Sequence, residues 1–177
     1  MADAKITELT ELTAPQEDDV LAIVDDPAGS PVTKKITKQN LSTIVSALPD
    51  DLTVSGKTIS LTANEDQAFG DVCYIDSDGE AQLGDASGIA TAKIVVMAIE
   101  SITHDTAGNY LVIGAARNDD WAWTPGDFIY LSLTGTTTNT LTDTAPSSTD
   151  ECIVILGVAL TADIIIFNPQ LVIVEHT

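Results

Sequence analysis

Basic side chains are scarce in this sequence. Its 177 residues include seven Lys and Arg against 27 Asp and Glu, which gives a formal net charge of −20. Proteins that bind nucleic acid without sequence preference neutralise phosphates with Lys and Arg, and anionic membrane surfaces attract the same residues. The composition therefore argues against nucleic acid and membrane partners, and it favours a solvated acidic surface.

Cysteine and histidine are also few. Cys73 and Cys152 lie in apolar runs without CxxC or metal-ligand spacing, which predicts buried free thiols; a disulfide would require the two strands to be neighbours. His104 and His176 form no cluster, and GxSxG, HExxH, P-loop and GxGxxG motifs are missing. We therefore expect no catalytic residue, no cofactor and no metal ion, and we predict that the protein is not an enzyme.

Long apolar runs are missing as well. None approaches the roughly 18 residues of a membrane-spanning helix, and the N-terminal MADAKITELTEL lacks the apolar core of a signal peptide. The apolar residues, 44% of the chain, come in short runs rich in Ile and Val. These β-branched residues suit the pleated surface of a strand.

Residues 51–177 show the pattern of an antiparallel β domain. Short apolar or alternating runs recur between turn signals, which predicts a β-sandwich or a barrel-like domain. The predicted strands are residues 57–63, 71–75, 80–83, 92–102, 109–115, 127–133, 152–158, 163–167 and 171–175. We expect the last three to form the strand core. The Thr- and Ser-rich residues 134–150 predict a polar loop, or exposed strands with a short hairpin.

Residues 1–50 predict a separate N-terminal region that consists of an arm, a hairpin and a short helix. Apolar residues spaced by three among threonines favour an extended arm over residues 5–13. The β runs 20–25 and 32–36 flank a Pro/Gly turn and predict a hairpin. Residues 38–48 follow the N-cap Thr37 and carry apolar side chains at i, i+3, i+4 and i+7, which predicts a helix.

This N-terminal region is too small to be stable alone. A single hairpin is marginal in water, and so is a single helix of about eleven residues. We therefore expect the region to pack on the β domain or on another chain, and to serve in docking and oligomerisation. The side chains predicted at that interface are Ile6, Leu9, Leu12, Leu41, Ile44, Val45 and Leu48.

Trp121 and Trp123 are the one concentration of aromatic residues in a chain with 5% aromatics. In a strand, these two positions would share a face. Three interpretations stay open: the pair belongs to the core, to a subunit interface, or to a surface that stacks on a glycan.

The sequence DSDG at residues 76–79 resembles the start of a calcium loop. The downstream acidic ligand of such a loop is missing, which favours a plain turn.

Several segments resemble a known family. The phrases DPAGSPVTKKIT, LSLTGTTTNTLT and FNPQLVIVEHT are similar to parts of tailed-bacteriophage virion structural proteins, of the capsid decoration and the head or tail fibre type. The resemblance implies a homotrimer that is made in the cytoplasm of the bacterial host and placed on the virion. Its implied partners are further copies of itself and the major capsid protein or another virion protein.

Three functions are compatible with this sequence. The first is a capsid decoration, or cement, protein that docks on the shell through its N-terminal region. The alternative is a short head, neck or tail fibre or adaptor protein with a host- or glycan-binding β tip. A soluble binding module outside any virion is the third, and it depends mainly on Trp121 and Trp123.

Overall fold

The computed structural model describes residues 20–25, 32–37, 48 and 50–176. The chain divides into two units, Met1–Ala47 and Leu48–Thr177. In the first unit, strands β1 (Val20–Asp25) and β2 (Val32–Thr37) pair antiparallel, as the sequence predicts. The predicted arm and the predicted helix lie outside the described residues, apart from Leu48.

The second unit consists of strands and loops. Its strands are β3 (Thr53–Thr62), β4 (Val72–Ile75), β5 (Ala81–Leu83), β6 (Val96–Ala98), β7 (Ala107–Arg117), β8 (Phe128–Leu131), β9 (Leu141–Thr142), β10 (Cys152–Ile153), β11 (Ile155–Ala159), β12 (Ile164–Phe167) and β13 (Val174–Glu175). The described residues of this unit contain no helix, and the described parts of the chain therefore hold none that could span a membrane. All pairs of these strands are antiparallel, which confirms a mainly β domain.

A curled sheet of nine strands, a half-barrel, organises this unit. The order is β5-β4-β6-β7-β12-β11-β8-β9, and β3 lies along the other edge of β7. Strand β7 is the centre, because β6 pairs with it at Tyr110 and Leu111 while β12 pairs with its end at 114–117. The sheet therefore divides at β7 into two groups of strands. Strands β10 and β13 form a separate two-stranded sheet.

Strand β6 is buried on both faces, and so are Val72 and Cys73 of β4 and Tyr110 and Leu111 of β7. Successive side chains of a strand point to opposite faces, and here each face meets a different core. The main core includes Val72, Met97, Leu111, Ile129, Leu131, Cys152, Val154, Leu156, Ile165 and Phe167. The smaller core contains Ala63, Cys73, Ala81, Leu83, Val96, Ala98, Ile102 and Tyr110. Burial of both faces explains why these short segments carry apolar side chains at consecutive positions instead of alternating with polar ones.

A buried polar contact connects parts of the smaller core. The Tyr110 hydroxyl donates to the side-chain oxygen of Gln67 at 2.8 Å, and the Gln67 amide donates to the carbonyl of Ala81 at 2.7 Å. Buried polar groups are costly unless they are paired. These two hydrogen bonds therefore give both buried side chains a partner, and they hold the segment that follows β3 against β5.

Two predicted strands are much shorter than expected. The run 92–102 supplies only β6, because its neighbour β4 has four residues and pairs with β6 at two positions. The run 171–175 supplies only β13, and the prediction that it belongs to the core is wrong except for Ile173, which packs against the main core. Leu171 is 83% exposed and Val172 is 72% exposed. Pro169 has no N–H and cannot extend the hydrogen-bond ladder with β11. The Gln170 N–H still donates to the Ile155 carbonyl, and after this bond the chain leaves β11.

Candidate functional site

The loop between β7 and β8 carries both tryptophans, so they do not lie in a strand. The loop begins with a turn in which the side-chain oxygen of Asn118 accepts the N–H of Asp120 at 2.9 Å. The N–H of Trp121 donates to the Asn118 carbonyl at 3.1 Å, and that of Trp123 donates to the Ala162 carbonyl at 3.0 Å. These bonds hold the loop against the connection between β11 and β12.

An ion pair at the end of β7 holds the start of the same loop. Arg117 Nε donates to Asp119 at 2.6 Å, and Arg117 Nη1 donates to the Leu48 carbonyl at 3.0 Å. The Asp51 carboxylate accepts the Asp119 N–H at 2.7 Å. An exposed pair of this kind contributes little to stability, so we assign it the role of orienting the loop.

Phe69, Trp121 and Trp123 form one aromatic cluster. The ring centroids of Phe69 and Trp121 lie 6.4 Å apart, those of the two tryptophans lie 6.1 Å apart, and both pairs are tilted. All three side chains are half-buried and pack against the main core. The Trp121 ring lies beside Gly70, where an added Cβ would be 3.0 Å from Cζ2.

The aromatic cluster forms one wall of a cavity of about 200 Å³, which we call the tryptophan cavity. The remaining lining is mostly polar and comes from three separate segments of the chain. It consists of Gly70, Asp71, Asn118, Asp120, Thr138, Thr140 and Leu141. The tryptophans are thus at the same time the margin of the core and the wall of a polar cavity.

Asp71 and Thr140 are buried polar residues of this wall, each with 1% of its surface exposed. The Asp71 carboxylate accepts the N–H of Ala68 at 2.8 Å and the N–H of Thr138 at 2.8 Å. The Thr140 hydroxyl accepts the N–H of Val72 at 3.0 Å. Burial raises the pKa of Asp71, although the two backbone hydrogen bonds act in the opposite direction. Asp71 therefore fastens the residue 138–140 segment to the start of β4.

The indole N–H of Trp123 is buried and has no hydrogen-bond acceptor among the described residues. A buried donor without a partner costs about 1–3 kcal/mol, and a buried Trp N–H usually finds a partner. Trp123, a residue of the cavity wall, thus has a donor that the described protein groups do not use.

A second surface feature is an apolar strip on the outer face of β8, β11 and β12. The strand register places Phe128, Val158 and Ile166 side by side across the three strands. Phe128 is 50% exposed and Ile166 is 46% exposed. Ile155 lines the same shallow groove. We call these four residues the apolar strip; contiguous exposed apolar surface of this kind is typical of interaction sites.

The predicted docking residues fall almost entirely outside the described part of the chain. Leu48 is described and half-buried, and its carbonyl accepts the bond from Arg117. The remaining six, Ile6, Leu9, Leu12, Leu41, Ile44 and Val45, lie outside the described residues. Their role in docking therefore stays a prediction.

The DSDG sequence forms the turn between β4 and β5. One carboxylate oxygen of Asp76 accepts the N–H of Asp78 at 2.9 Å and the N–H of Glu80 at 2.9 Å. Gly79 takes a φ of +85°. The predicted turn is confirmed. Over the described residues, no group of three or more His, Cys, Asp or Glu is arranged to hold a metal ion.

Sequence reasoning missed the polar lining of the tryptophan cavity and the apolar strip. The cavity lining comes from segments far apart in the chain, such as Asp71 and Thr140 with a sequence separation of 69, and a local pattern cannot bring them together. The sequence of β12, in contrast, did contain a signal of the apolar strip. Residues 164–167 read IIIF, and an antiparallel strand that is apolar on both faces is expected to be covered on both.

Compared with known proteins, the chain matches no family model, no curated protein and no solved structure. The function must therefore be argued from the apolar strip, the tryptophan cavity and the sequence resemblance.

Proposed function

We propose that the chain is a non-enzymatic virion structural protein of a tailed bacteriophage. In this proposal it is a homotrimeric capsid decoration protein that docks on the shell through its N-terminal region, while its barrel-like β domain projects outwards. The apolar strip is the observation that carries the proposal, together with the segment resemblance noted in the sequence.

The apolar strip is unusual for a protein of this charge. A chain with 19% charged residues and a net charge of −20 has ample polar side chains for an outer sheet face. Nevertheless, no polar side chain occupies the three neighbouring positions of the strip, which hold Phe128, Val158 and Ile166. Antiparallel sheets that face water on one side normally alternate apolar and polar residues. We therefore assign the strip to contacts between copies of the chain in the trimer.

The N-terminal hairpin supports the same proposal. Strands β1 and β2 have six residues each, and a two-stranded hairpin is at best marginally stable alone. It needs a surface to pack on, and a shell of identical subunits offers that surface many times. Because the subunits attach together, modest affinity at each contact is sufficient.

The experiment that tests the decoration role is the location and copy number of the chain on purified particles. Cryo-electron microscopy of the particle is expected to show trimers at repeated positions over the shell, and quantitative gel analysis should give a copy number in a fixed ratio to the capsid protein. Absence of the chain from purified particles would contradict the proposal.

A short fibre or adaptor protein with a host-binding tip is the second candidate. The tryptophan cavity favours it, because a decoration protein needs no polar cavity with an aromatic wall. The same images distinguish the two: a fibre or adaptor occurs in a few copies at the neck, the tail or a single vertex, and a decoration protein covers the shell.

A further inference from the structure

We propose that the tryptophan cavity binds one neutral sugar ring, the terminal monosaccharide of a glycan. The inference depends on the cavity alone, and it holds whether the chain decorates a shell or forms a fibre.

The wall of the cavity fits the two kinds of surface that a sugar ring presents. One face of a pyranose exposes C–H groups, which pack well against an aromatic ring, and Trp121 and Trp123 offer half-buried indoles at the cavity. The edge of a pyranose carries hydroxyls that both donate and accept. The other side of the cavity presents polar groups, among them Asn118 and Asp120. A volume of about 200 Å³ matches a single ring better than an oligosaccharide.

Two polar groups of the lining residues remain available for hydrogen bonds to a ligand, because the described protein groups do not use them. The Trp123 N–H has no acceptor among the described residues, and a sugar hydroxyl oxygen is an acceptor. The Asp120 carboxylate lines the cavity and is exposed, and an ionised carboxylate accepts hydroxyl donors. A ligand that both accepts and donates can provide a partner for each of these two groups.

The charge of the cavity selects the class of sugar. Asp71 and Asp120 both line it, and the chain as a whole carries a net charge of −20. No Lys or Arg is among the lining residues. A sugar carboxylate, sulfate or phosphate would be repelled at this distance. We therefore assign neutral hexoses and N-acetylhexosamines as ligands, and we exclude sialic and uronic acids.

Intrinsic fluorescence gives a direct test, because the chain has two tryptophans and both line the cavity. The full-length protein is titrated with the methyl glycosides of glucose, galactose, mannose and N-acetylglucosamine, and separately with methyl glucuronide. We expect a saturable change in tryptophan emission with at least one neutral glycoside and none with the glucuronide over the same range.

Three variants show whether binding uses the proposed groups. Trp123→Phe removes the N–H and keeps an aromatic ring, and Asp120→Asn removes the charge at an exposed position where folding is not at risk. Each is expected to weaken binding about five- to tenfold, as the loss of one hydrogen bond implies. Asp78→Asn, which removes an exposed carboxylate in the turn between β4 and β5 and outside the cavity, is the matched control and should bind like the wild type.

Calorimetry measures the affinity of each variant, and circular dichroism confirms that it is folded. Saturable binding of a neutral glycoside that is weakened in Asp120→Asn, and in Trp123→Phe where that variant folds, supports the proposal. No saturable response to any of the neutral probes overturns it, and so does equal binding by the wild type and Asp120→Asn. Equal or tighter binding of the glucuronide overturns the assignment to neutral sugars.

Discussion

At the scale of single residues, burial controls the chemistry of the two cysteines. Cys73 lies in the smaller core and Cys152 in the main core, and both are free with no exposed surface. Burial raises the pKa of both thiols, so that the reactive thiolate is suppressed. The sequence prediction of buried free thiols is therefore confirmed.

We expect neither thiol to react with a disulfide reagent in the folded protein. The physical reasons are the lack of access and the raised pKa of each thiol. Reaction with Ellman's reagent should release almost no chromophore under native conditions and two equivalents per chain after unfolding in guanidinium chloride. Fast labelling of the native protein would show that a core opens locally.

The contribution of Asp71 to the stability of the fold is expected to depend on pH. Because burial raises its pKa above the ordinary value of 3.8, the folded state binds a proton more tightly than the unfolded state does. The contribution of Asp71 to the free energy of unfolding is therefore greatest below pH 3.8 and declines as the pH rises through the folded-state pKa. Asp71→Asn cannot titrate, so its stability deficit should become smaller over that range.

Urea unfolding of the wild type and of Asp71→Asn, in a pH series from about 3 to about 8, measures this difference. The variant is expected to be less stable by about 1–3 kcal/mol at the acidic end, because an amide cannot accept both backbone hydrogen bonds. A deficit that increases with pH would contradict the raised pKa. Asp78→Asn, at an exposed carboxylate outside the cavity, controls for the general effect of charge.

At the scale of secondary structure elements, the pairing of β3 with β7 depends on two glycines. Gly56 and Gly114 lie opposite each other in the register. A Cβ added to Gly114 would meet the Ser55 carbonyl oxygen and the Cα of Gly56 at 2.6 Å, and Gly114 has a φ of +153°. Along the opposite edge of β7, the neighbouring strand changes from β6 to β12 close to this glycine pair. Both groups of strands therefore depend on the backbone at this point.

Gly114→Ala is expected to destabilise the fold by about 2–4 kcal/mol, because backbone atoms on the facing strand cannot move away from the new methyl group. Gly88→Ala is the matched control: nothing lies within 4 Å of its added Cβ, and its effect should remain within about 0.5 kcal/mol. Thermal unfolding of both variants measures the difference. Equal stability would show that the two strands separate easily.

The sequence predicted most strands and failed where a strand depends on its neighbour. The runs at β4, β5, β8 and β12 match their predicted positions closely, since apolar content and turn residues are local signals. The run 92–102 is apolar enough for a long strand, but it meets partners at only a few positions. The run 171–175 is apolar as well, and it is left largely exposed. Pairing and coverage are tertiary properties that apolarity alone does not determine.

At the scale of the whole molecule, the β domain has the features of an independent folding unit. It holds two cores of its own, and its strands are paired within Leu48–Thr177. The candidate sites illustrate how far the sequence leads at this scale. It identified Trp121 and Trp123 as a pair, but the acidic and hydroxyl groups around them come together only through the fold of β4, β7 and β9.

Deletion of residues 1–47 tests the separate role of the first unit. The remaining chain, Leu48–Thr177, is expected to unfold cooperatively with nearly the stability of the β domain in the full-length protein, because both cores are retained. It should lose attachment to particles, since all of the predicted docking side chains except Leu48 are removed. Co-sedimentation with particles that lack the protein measures attachment. Normal attachment of the truncated chain would contradict N-terminal docking.

The most direct test of the account is the mass of the protein in solution, compared with that of a variant in the apolar strip. Sedimentation equilibrium is predicted to give three times the chain mass of 18.6 kDa for the wild type, and a smaller mass for Ile166→Asp. Ile59→Asp, a residue of β3 with the same 46% exposure, should remain a trimer. A wild type that sediments as a single chain at all concentrations would contradict assembly through the strip.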